Sequence, residues 1–156
     1  MSIRELLRPP RSLAVGIAAV TIAAAAPAAA TAQTDDEAAV RATVTGFKKA
    51  LRAGDGDRAI DHLHPDVQVF EGGHAETLDE YRSGHLAADM RFLSAVETET
   101  TWEAVEVDGE LALYLSRYHT TGTFRDREID AHGTETMVLR RTADGWRIVH
   151  IHWSSR

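Results

Sequence analysis

The spacing of apolar residues changes near residue 95, from the three-to-four-residue repeat of helices to the two-residue repeat of strands. The helical repeat begins after Thr34 and Glu37, which have the spacing of a capping box. The apolar positions that follow predict an amphipathic helix: Val40, Val44, Phe47 and Leu51. We therefore expect a helix that begins at Thr34 and ends at Gly54.

Two further helices are predicted before the long strands. A short one covers residues 57–63 and is stopped by Pro65. The third begins with the capping-box pair Thr77 and Glu80 and continues to about residue 90. Gly84 lies inside it and costs about 1 kcal/mol of helix propensity. One face of this helix is expected to carry Leu78, Tyr81, His85 and Ala88.

The strand pattern begins with a short segment, residues 67–71, that ends in two glycines. Four longer segments follow, at residues 98–107, 110–124, 129–141 and 146–154. Asp108-Gly109 and Asp144-Gly145 are typical of two-residue hairpin turns. The order predicts an α+β fold in which helices precede a strongly curved antiparallel sheet.

The last predicted strand, WRIVHIHWSS from Trp146 to Ser155, is apolar on both faces. Strict alternation places four side chains on one face: Trp146, Ile148, His150 and His152. A turn at Asp144-Gly145 would add to that face the residues Leu139, Met137 and Glu135. The other face would carry an apolar patch of Val138, Val149, Ile151 and Trp153. We expect the histidine face to line a pocket and the apolar face to form an interface.

The first 32 residues have the pattern of a secretory signal peptide. Arg4, Arg8 and Arg11 precede an uncharged, alanine-rich stretch, and cleavage is expected between Ala32 and Gln33. A retained membrane anchor is the alternative interpretation. We expect residues 33–156 to form one domain that is secreted or periplasmic, with no membrane contact after cleavage.

The length, net charge and lack of cysteine limit the number of domains, the kind of partner and the source of stability. Cleavage would leave 124 of the 156 residues, which is the size of one domain with a single core. It would remove three arginines and one glutamate, so the net charge would change from −7 to −9. So acidic a domain is not expected to bind nucleic acid. The chain has no cysteine, so packing rather than disulfides must stabilise it.

Several segments of residues 35–156 resemble the SnoaL-like branch of the nuclear transport factor 2-like superfamily. The matching segments are His64-Pro65-Asp66, Phe70-Glu71-Gly72-Gly73, Tyr81 to Met90, and Asp144 to Ser155. The resemblance implies a cone in which three helices and a strongly curved sheet enclose a pocket, commonly in a homodimer built on the convex sheet face. The superfamily includes isomerases, cyclases, dehydratases, hydrolases and non-enzymatic modules, so the family alone does not give the function. No catalytic residue can be transferred from it by motif.

The leading hypothesis is a domain that binds a small molecule in this pocket. Its expected ligand-binding residues are Glu71, His74, Tyr81, His85, His150 and His152. The alternative is an isomerase, cyclase or dehydratase in which a histidine and a carboxylate form the general base. The candidate catalytic pairs are His150 or His152 with Glu135, and His85 with Asp89. Whether the domain is an enzyme stays open at this stage, although no serine or cysteine nucleophile motif is present.

No cofactor is indicated, but eight histidines in a small domain leave a divalent metal possible. The histidines do not occur at the spacing of common zinc motifs, so separate elements would have to supply the ligands. The candidate metal ligands are His74, His85, His150 and His152. The expected partners are therefore a small-molecule ligand and a second copy of the chain, which would contact the outer sheet face.

Overall fold

The computed structural model describes residues 26–156, with side chains described from residue 33 onward. The helices of this part are α1 (Ala26–Ala53), α2 (Gly56–Asp61), α3 (Leu78–Ser83) and α4 (Leu86–Leu93). None of them is both long enough and apolar enough to cross a membrane. The predicted signal segment lies outside the described residues up to residue 25, and cleavage after residue 32 stays a prediction.

Helix α1 begins eight residues before the predicted capping box. It starts at Ala26 and continues through Thr34 and Glu37, so this pair lies within the helix. Alanine has the highest helix propensity, and Pro27 is compatible with a first turn. These residues extend the helix beyond the start that the capping-box spacing predicted.

The predicted third helix is divided into two at Gly84. The capping box of Thr77 and Glu80 begins α3 as expected. Gly84 then has φ −107° and ψ −94°, which is not helical, and its amide donates to the carbonyl of Glu80. A new helix, α4, begins after His85. The single helix face expected for Tyr81 and His85 is therefore not continuous.

The strands are β1 (Leu63–Glu71), β2 (His74–Thr77), β3 (Val96–Asp108), β4 (Leu111–Phe124), β5 (Arg127–Thr142) and β6 (Gly145–Ser155). They form one sheet in the order β2-β1-β6-β5-β4-β3. All neighbours are antiparallel except β1 and β6, which are parallel. The sequence pattern predicted the four long strands, but not β2 or the parallel pair.

The hairpin of β5 and β6 corrects the predicted register. Thr142 pairs with Gly145, so the turn residues are Ala143 and Asp144, one position earlier than predicted. Leu139 pairs with Ile148 rather than with His150, and the next pair joins Val138 to His150 and leaves Val149 as an extra residue. Such a β-bulge reverses the faces of all later residues.

This bulge turns the two histidines of β6 to the outer face, so the predicted inward orientation of His150 and His152 is wrong. Ile151, opposite Met137, and Trp153, opposite Glu135, face inward instead. Ile151 is fully buried. The bulge places on the inner face four large apolar side chains that strict alternation would have divided between two faces; Trp146, Ile148 and Ile151 are buried, and Trp153 is partly buried against the core.

The inner sheet face packs on the helices and forms one core. Phe47 and Leu51 of α1 are fully buried, and the Phe47 ring stacks on Trp153 with the centroids 6.3 Å apart. Tyr81 of α3 and Leu86 of α4 complete the core. The predicted α+β fold, with helices on one face of a curved sheet, is confirmed; the helix count differs because of Gly84.

Candidate functional site

A cavity of about 110 Å³ lies between the inner sheet face and helices α1 and α4. Its apolar wall includes Leu51, Phe92, Leu93 and Trp153. Its polar lining includes Lys48, Arg52, Glu71, Asp89, Thr98, Thr100, Tyr118, Thr120 and Glu135. Arg52, Glu71 and Thr100 are exposed residues, so they lie where the cavity meets solvent.

Glu135 is the most deeply buried carboxylate of the lining, at 3% exposure. Its Oε1 accepts from Ser116 Oγ at 3.0 Å and lies 2.6 Å from Lys48 Nζ. Its Oε2 accepts from Trp153 Nε1 at 2.7 Å. Because donors occupy both oxygens, Glu135 is a fixed acceptor that holds Lys48 and Trp153 in the wall.

Asp89 has a different environment on the opposite side of the cavity. Its Oδ2 accepts from the hydroxyl of Tyr81 at 2.9 Å, and Tyr81 is fully buried. Burial is the main cause that raises the pKa of Asp89 from its usual 3.8 to about 6, which the Tyr81 hydrogen bond opposes. Asp89 is therefore a carboxyl group that gains and loses its proton close to neutral pH.

Two more titratable groups border the cavity near Asp89. Although Glu71 reaches solvent at the cavity mouth, partial desolvation of its carboxyl group raises its pKa; the nearby His85 opposes this increase, and the carboxylate of Glu76 adds a smaller increase. Burial also raises the pKa of Tyr118 to about 12, with the charges of Glu135 and Glu71 adding to the effect. Tyr118 is consequently a protonated hydroxyl, able to donate a hydrogen bond, at any physiological pH.

A glycine determines where the Tyr118 ring lies. Tyr118 is the cross-strand partner of Gly133, and a Cβ at Gly133 would lie only 2.2 Å from the Tyr118 ring carbon Cζ. The ring thus covers the space that any other residue at position 133 would fill. This arrangement holds Tyr118 across the inner face of β5, where it lines the cavity.

His85 and His74 lie near this site but not in the cavity lining. His85 Nδ1 is 2.7 Å from Glu76 Oε2, and this hydrogen bond is the main cause that raises the pKa of His85. The His85 side chain is 51% exposed. The rings of His74 and His85 are 6.1 Å apart. The predicted pair of His85 with Asp89 is therefore replaced by two pairs, His85 with Glu76 and Tyr81 with Asp89.

His150 and His152 are not near Glu135, so the predicted base pairs between them are wrong. Both histidines contact Phe70 on the outer face, with ring centroids at 5.0 Å for His150 and 6.4 Å for His152. Burial lowers the pKa of His150, and the neighbouring His152 lowers it further. They are separated from the cavity by the sheet itself.

The structure does not bring the four predicted metal ligands together. His150 and His152 lie on the outer sheet face, whereas His74 and His85 lie beside β2 and α4. Among the side chains that the structure describes, one group of three potential ligands converges, and it contains none of these four. Three other predicted site residues do line one cavity, in which no histidine is among the lining residues: Glu71, which was expected to bind ligand, and Asp89 and Glu135, which were candidate catalytic residues.

Sequence reasoning missed Lys48 and Arg52 as cavity residues. Lys48 lies one position after the buried Phe47, on the flank of the apolar face of α1. This position weakly indicates a side chain that lies close to the core. Tyr118 alternates with Ser116 and Thr120 on the inner face of β4. Two small polar residues on a buried strand face indicate a polar cavity. This signal lies on β4, whereas the predicted pocket was based on the residue pattern of β6.

A curved sheet packed against helices is the architecture of nuclear transport factor 2-like proteins. The sequence profile of the SnoaL-like domain matches residues 40–156. The chain belongs to this SnoaL-like family. Among curated proteins, no sequence matches it at a significant level.

Solved structures support this assignment. A candidate ketosteroid isomerase from Shewanella frigidimarina is 35% identical, with a TM-score of 0.72, over 74% of this chain and 94% of that chain. A candidate dehydratase of the NTF2-like family from Streptomyces avermitilis is 20% identical, with a TM-score of 0.64, over 78% and 96% of the chains. The CaMKII hub of S. rosetta is 21% identical, with a TM-score of 0.62, over 77% and 96%. The last two likenesses show the fold alone.

Proposed function

We propose that this protein is a proton-transfer enzyme of the isomerase type that acts on a small carbonyl compound in the cavity, with Asp89 as the general base. The observation that carries the proposal is the half-buried Asp89, which Tyr81 orients and which lines the same cavity as the apolar side chains of Phe92 and Trp153. The candidate ketosteroid isomerase, at 35% identity, supports this class of reaction.

Asp89 suits this role because a general base works best when its pKa lies near the working pH. Its pKa of about 6 leaves most of the group ionised at neutral pH, yet lets it hold a proton during the reaction. Tyr81 binds one oxygen, Oδ2, so the other oxygen is the one directed to a substrate. Glu135, which donors surround on both oxygens, is the supporting carboxylate and not the base.

The reaction conserves atoms and needs no cofactor. In a β,γ-unsaturated ketone, Asp89 removes the proton between the carbonyl group and the double bond. The electron pair moves onto the carbonyl oxygen as a dienolate, to which the neutral Tyr118 hydroxyl donates a hydrogen bond. Protonated Asp89 then returns the proton to the γ carbon, and the double bond becomes conjugated with the carbonyl group.

The size of the cavity limits the substrate. A single water molecule needs about 10–15 Å³ of such volume, so about 110 Å³ accepts a compact molecule with one ring. Four fused rings would need the helices to move away from the sheet. Cyclohex-3-enone, a monocyclic β,γ-unsaturated ketone, is therefore the probe that we choose.

The test compares isomerisation of cyclohex-3-enone by the wild-type chain and by Asp89→Asn, followed by the ultraviolet absorbance of the conjugated product. We expect the wild-type protein to accelerate the reaction and Asp89→Asn to lower the rate about 10²–10⁴-fold. Asp79→Asn, an exposed carboxyl group on α3, is the matched control and should keep the rate. Equal rates for wild type and Asp89→Asn would refute the role of Asp89.

We also propose that the chain forms a homodimer through its outer sheet face. The supporting residues differ from those predicted, because Ile151 and Trp153 face inward. The outer face of β3, β4, β5 and β6 instead presents partly exposed apolar side chains: Trp102, Leu113, Leu115, Val138 and Val149. Trp102 is 48% exposed, and adjacent apolar side chains of this kind are typical of an interface.

Export is the remaining part of the proposal. It rests on the arginines before an uncharged N-terminal stretch and on the small residues before Gln33. Expression of the full chain in a bacterial host, followed by mass measurement of the periplasmic protein, tests it. A mass that corresponds to residues 33–156 is expected, whereas a full-length protein retained in the membrane would indicate the anchor.

A further inference from the structure

We propose that His119, Asp130 and His132 form a binding site for a divalent transition metal ion such as Zn²⁺ on the outer face of β4 and β5. The site is separate from the cavity and does not depend on the proposed enzymatic function. One ligand atom from each residue lies within 4.8 Å of the other two. Among the described side chains, this is the group of three histidine or carboxylate ligands that converges so closely.

The strand register explains why these three residues meet. His119 of β4 and His132 of β5 are direct cross-strand partners, so their side chains lie on the same face. Asp130 precedes His132 by two residues, and strand side chains alternate, so it shares that face as well. Three ligands on two paired strands are fixed relative to one another by backbone hydrogen bonds.

The observed distances are close to those of a metal site. His119 Nε2 lies 2.6 Å from Asp130 Oδ1, and the rings of His119 and His132 stack with centroids 4.3 Å apart. Zinc bonds of about 2.0–2.2 Å place tetrahedral ligand atoms roughly 3.3 Å apart. The side chains would have to rotate to reach that geometry, and Asp130 and His132 are both exposed, so they have room to do so.

The surrounding charges favour a cation. Glu99 of β3 is the cross-strand partner of His119 on its other side, and Glu97 is the partner of Thr121. Both glutamates share the outer face with the three ligands. Glu99 therefore adds negative charge on the strand next to His119, although its carboxylate is not one of the three converging groups. The opposing charges are Arg156, whose backbone pairs with that of His132, and Arg117, which precedes His119 by two residues on the same face of β4.

Two imidazoles with carboxylates select a particular class of ion. Imidazole is a preferred ligand of Zn²⁺, Cu²⁺ and Ni²⁺, whereas Mg²⁺ and Ca²⁺ prefer oxygen ligands alone. The bound ion would join β4 to β5 and would be expected to stabilise the folded chain. The alternative is that His119 and Asp130 form only an ordinary surface hydrogen bond.

The experiment titrates untagged, chelator-treated protein with ZnCl₂ by calorimetry at constant pH and measures zinc per chain after gel filtration. We expect one Zn²⁺ per chain, no Mg²⁺ binding, and a Zn²⁺ affinity that falls about tenfold or more in His119→Asn and in His132→Asn. The milder Asp130→Asn should also weaken binding. The control variants are His150→Asn and His152→Asn, which remove outer-face histidines from β6 and should leave binding unchanged.

Thermal unfolding provides a second measurement on the same proteins. Zn²⁺ should raise the Tm of the wild-type chain and of the β6 control variants, but not the Tm of His119→Asn. Circular dichroism confirms that each variant is folded. The proposal is overturned if the wild-type chain binds no stoichiometric zinc, or if the cluster variants and the β6 variants bind it equally.

Discussion

The unusual environment of Asp89 makes the stability of the protein depend on pH in a specific way. In the folded chain its pKa is about 6, compared with its usual 3.8. Because folding raises this pKa, the group stabilises the fold fully below pH 3.8, and this contribution is lost as the pH rises through about 6. At about 1.36 kcal/mol for each tenfold change in proton affinity, the whole effect is about 3 kcal/mol.

Replacement of Asp89 by asparagine should remove this pH dependence. Between pH 5 and pH 8 the wild-type chain loses about half of the effect, or roughly 1.4 kcal/mol by linkage, and about 1 kcal/mol after allowance for partial solvent contact. An asparagine oxygen can still accept the hydrogen bond of Tyr81, so the fold should persist. We therefore expect the free energy of unfolding of Asp89→Asn, relative to that of wild type, to increase by about 1 kcal/mol as the pH rises from 5 to 8.

Urea unfolding at pH 5 and pH 8, followed by tryptophan fluorescence, measures the difference. Comparison of two proteins at each pH cancels the contributions of the titratable groups that they share. Asp108→Asn removes an exposed carboxyl group at the end of β3 and serves as control, with no expected pH-dependent difference. If the difference in unfolding free energy between wild type and Asp89→Asn is the same at pH 5 and pH 8, the raised pKa of Asp89 is refuted.

Other substitutions test the remaining structural claims. Lys48→Met should lower the free energy of unfolding by about 2 kcal/mol or more, because it removes the cation that pairs with the buried carboxylate of Glu135. Lys49 is exposed on the same helix, so Lys49→Met should have little effect. Ile151→Ala should cost about 2–5 kcal/mol and His152→Ala less than about 0.5 kcal/mol, and similar costs would contradict the bulge in β6. Leu115→Arg should convert the homodimer to a monomer in sedimentation velocity, and an unchanged dimer would exclude the outer sheet face as its interface.

Periodicity predicted the elements of this fold better than it predicted their details. The apolar repeat of α1 and the turn signals between the last strands gave the fold class and the order of the main elements. Gly84, a residue with low helix propensity, indicated where the third helix could be divided. Pairing of β1 with β6 could not be predicted, because it joins segments that are about 80 residues apart.

The positions of the candidate site residues could not be predicted from residue spacing alone. Strict alternation along β6 gave an inward histidine face, but a single extra residue, Val149, reversed it. The apolar residues Ile151 and Trp153 were the signal for this bulge, since alternation would have left them on the outer face with Val149. The contact of Tyr81 with Asp89 depends on how α3 and α4 meet at Gly84, which residue spacing does not report.

Asp89, as the proton-transferring group of the cavity, is the residue on which the proposed activity depends most directly. Its decisive measurement is the pH dependence of kcat/KM for isomerisation of cyclohex-3-enone by the wild-type chain and by Asp89→Asn. We predict that kcat/KM for wild type rises as the pH increases through about 6, where Asp89 loses its proton, and that the variant lacks both this rise and most of the activity. A wild-type protein without activity above the buffer rate, or a variant with the same profile, would contradict the account.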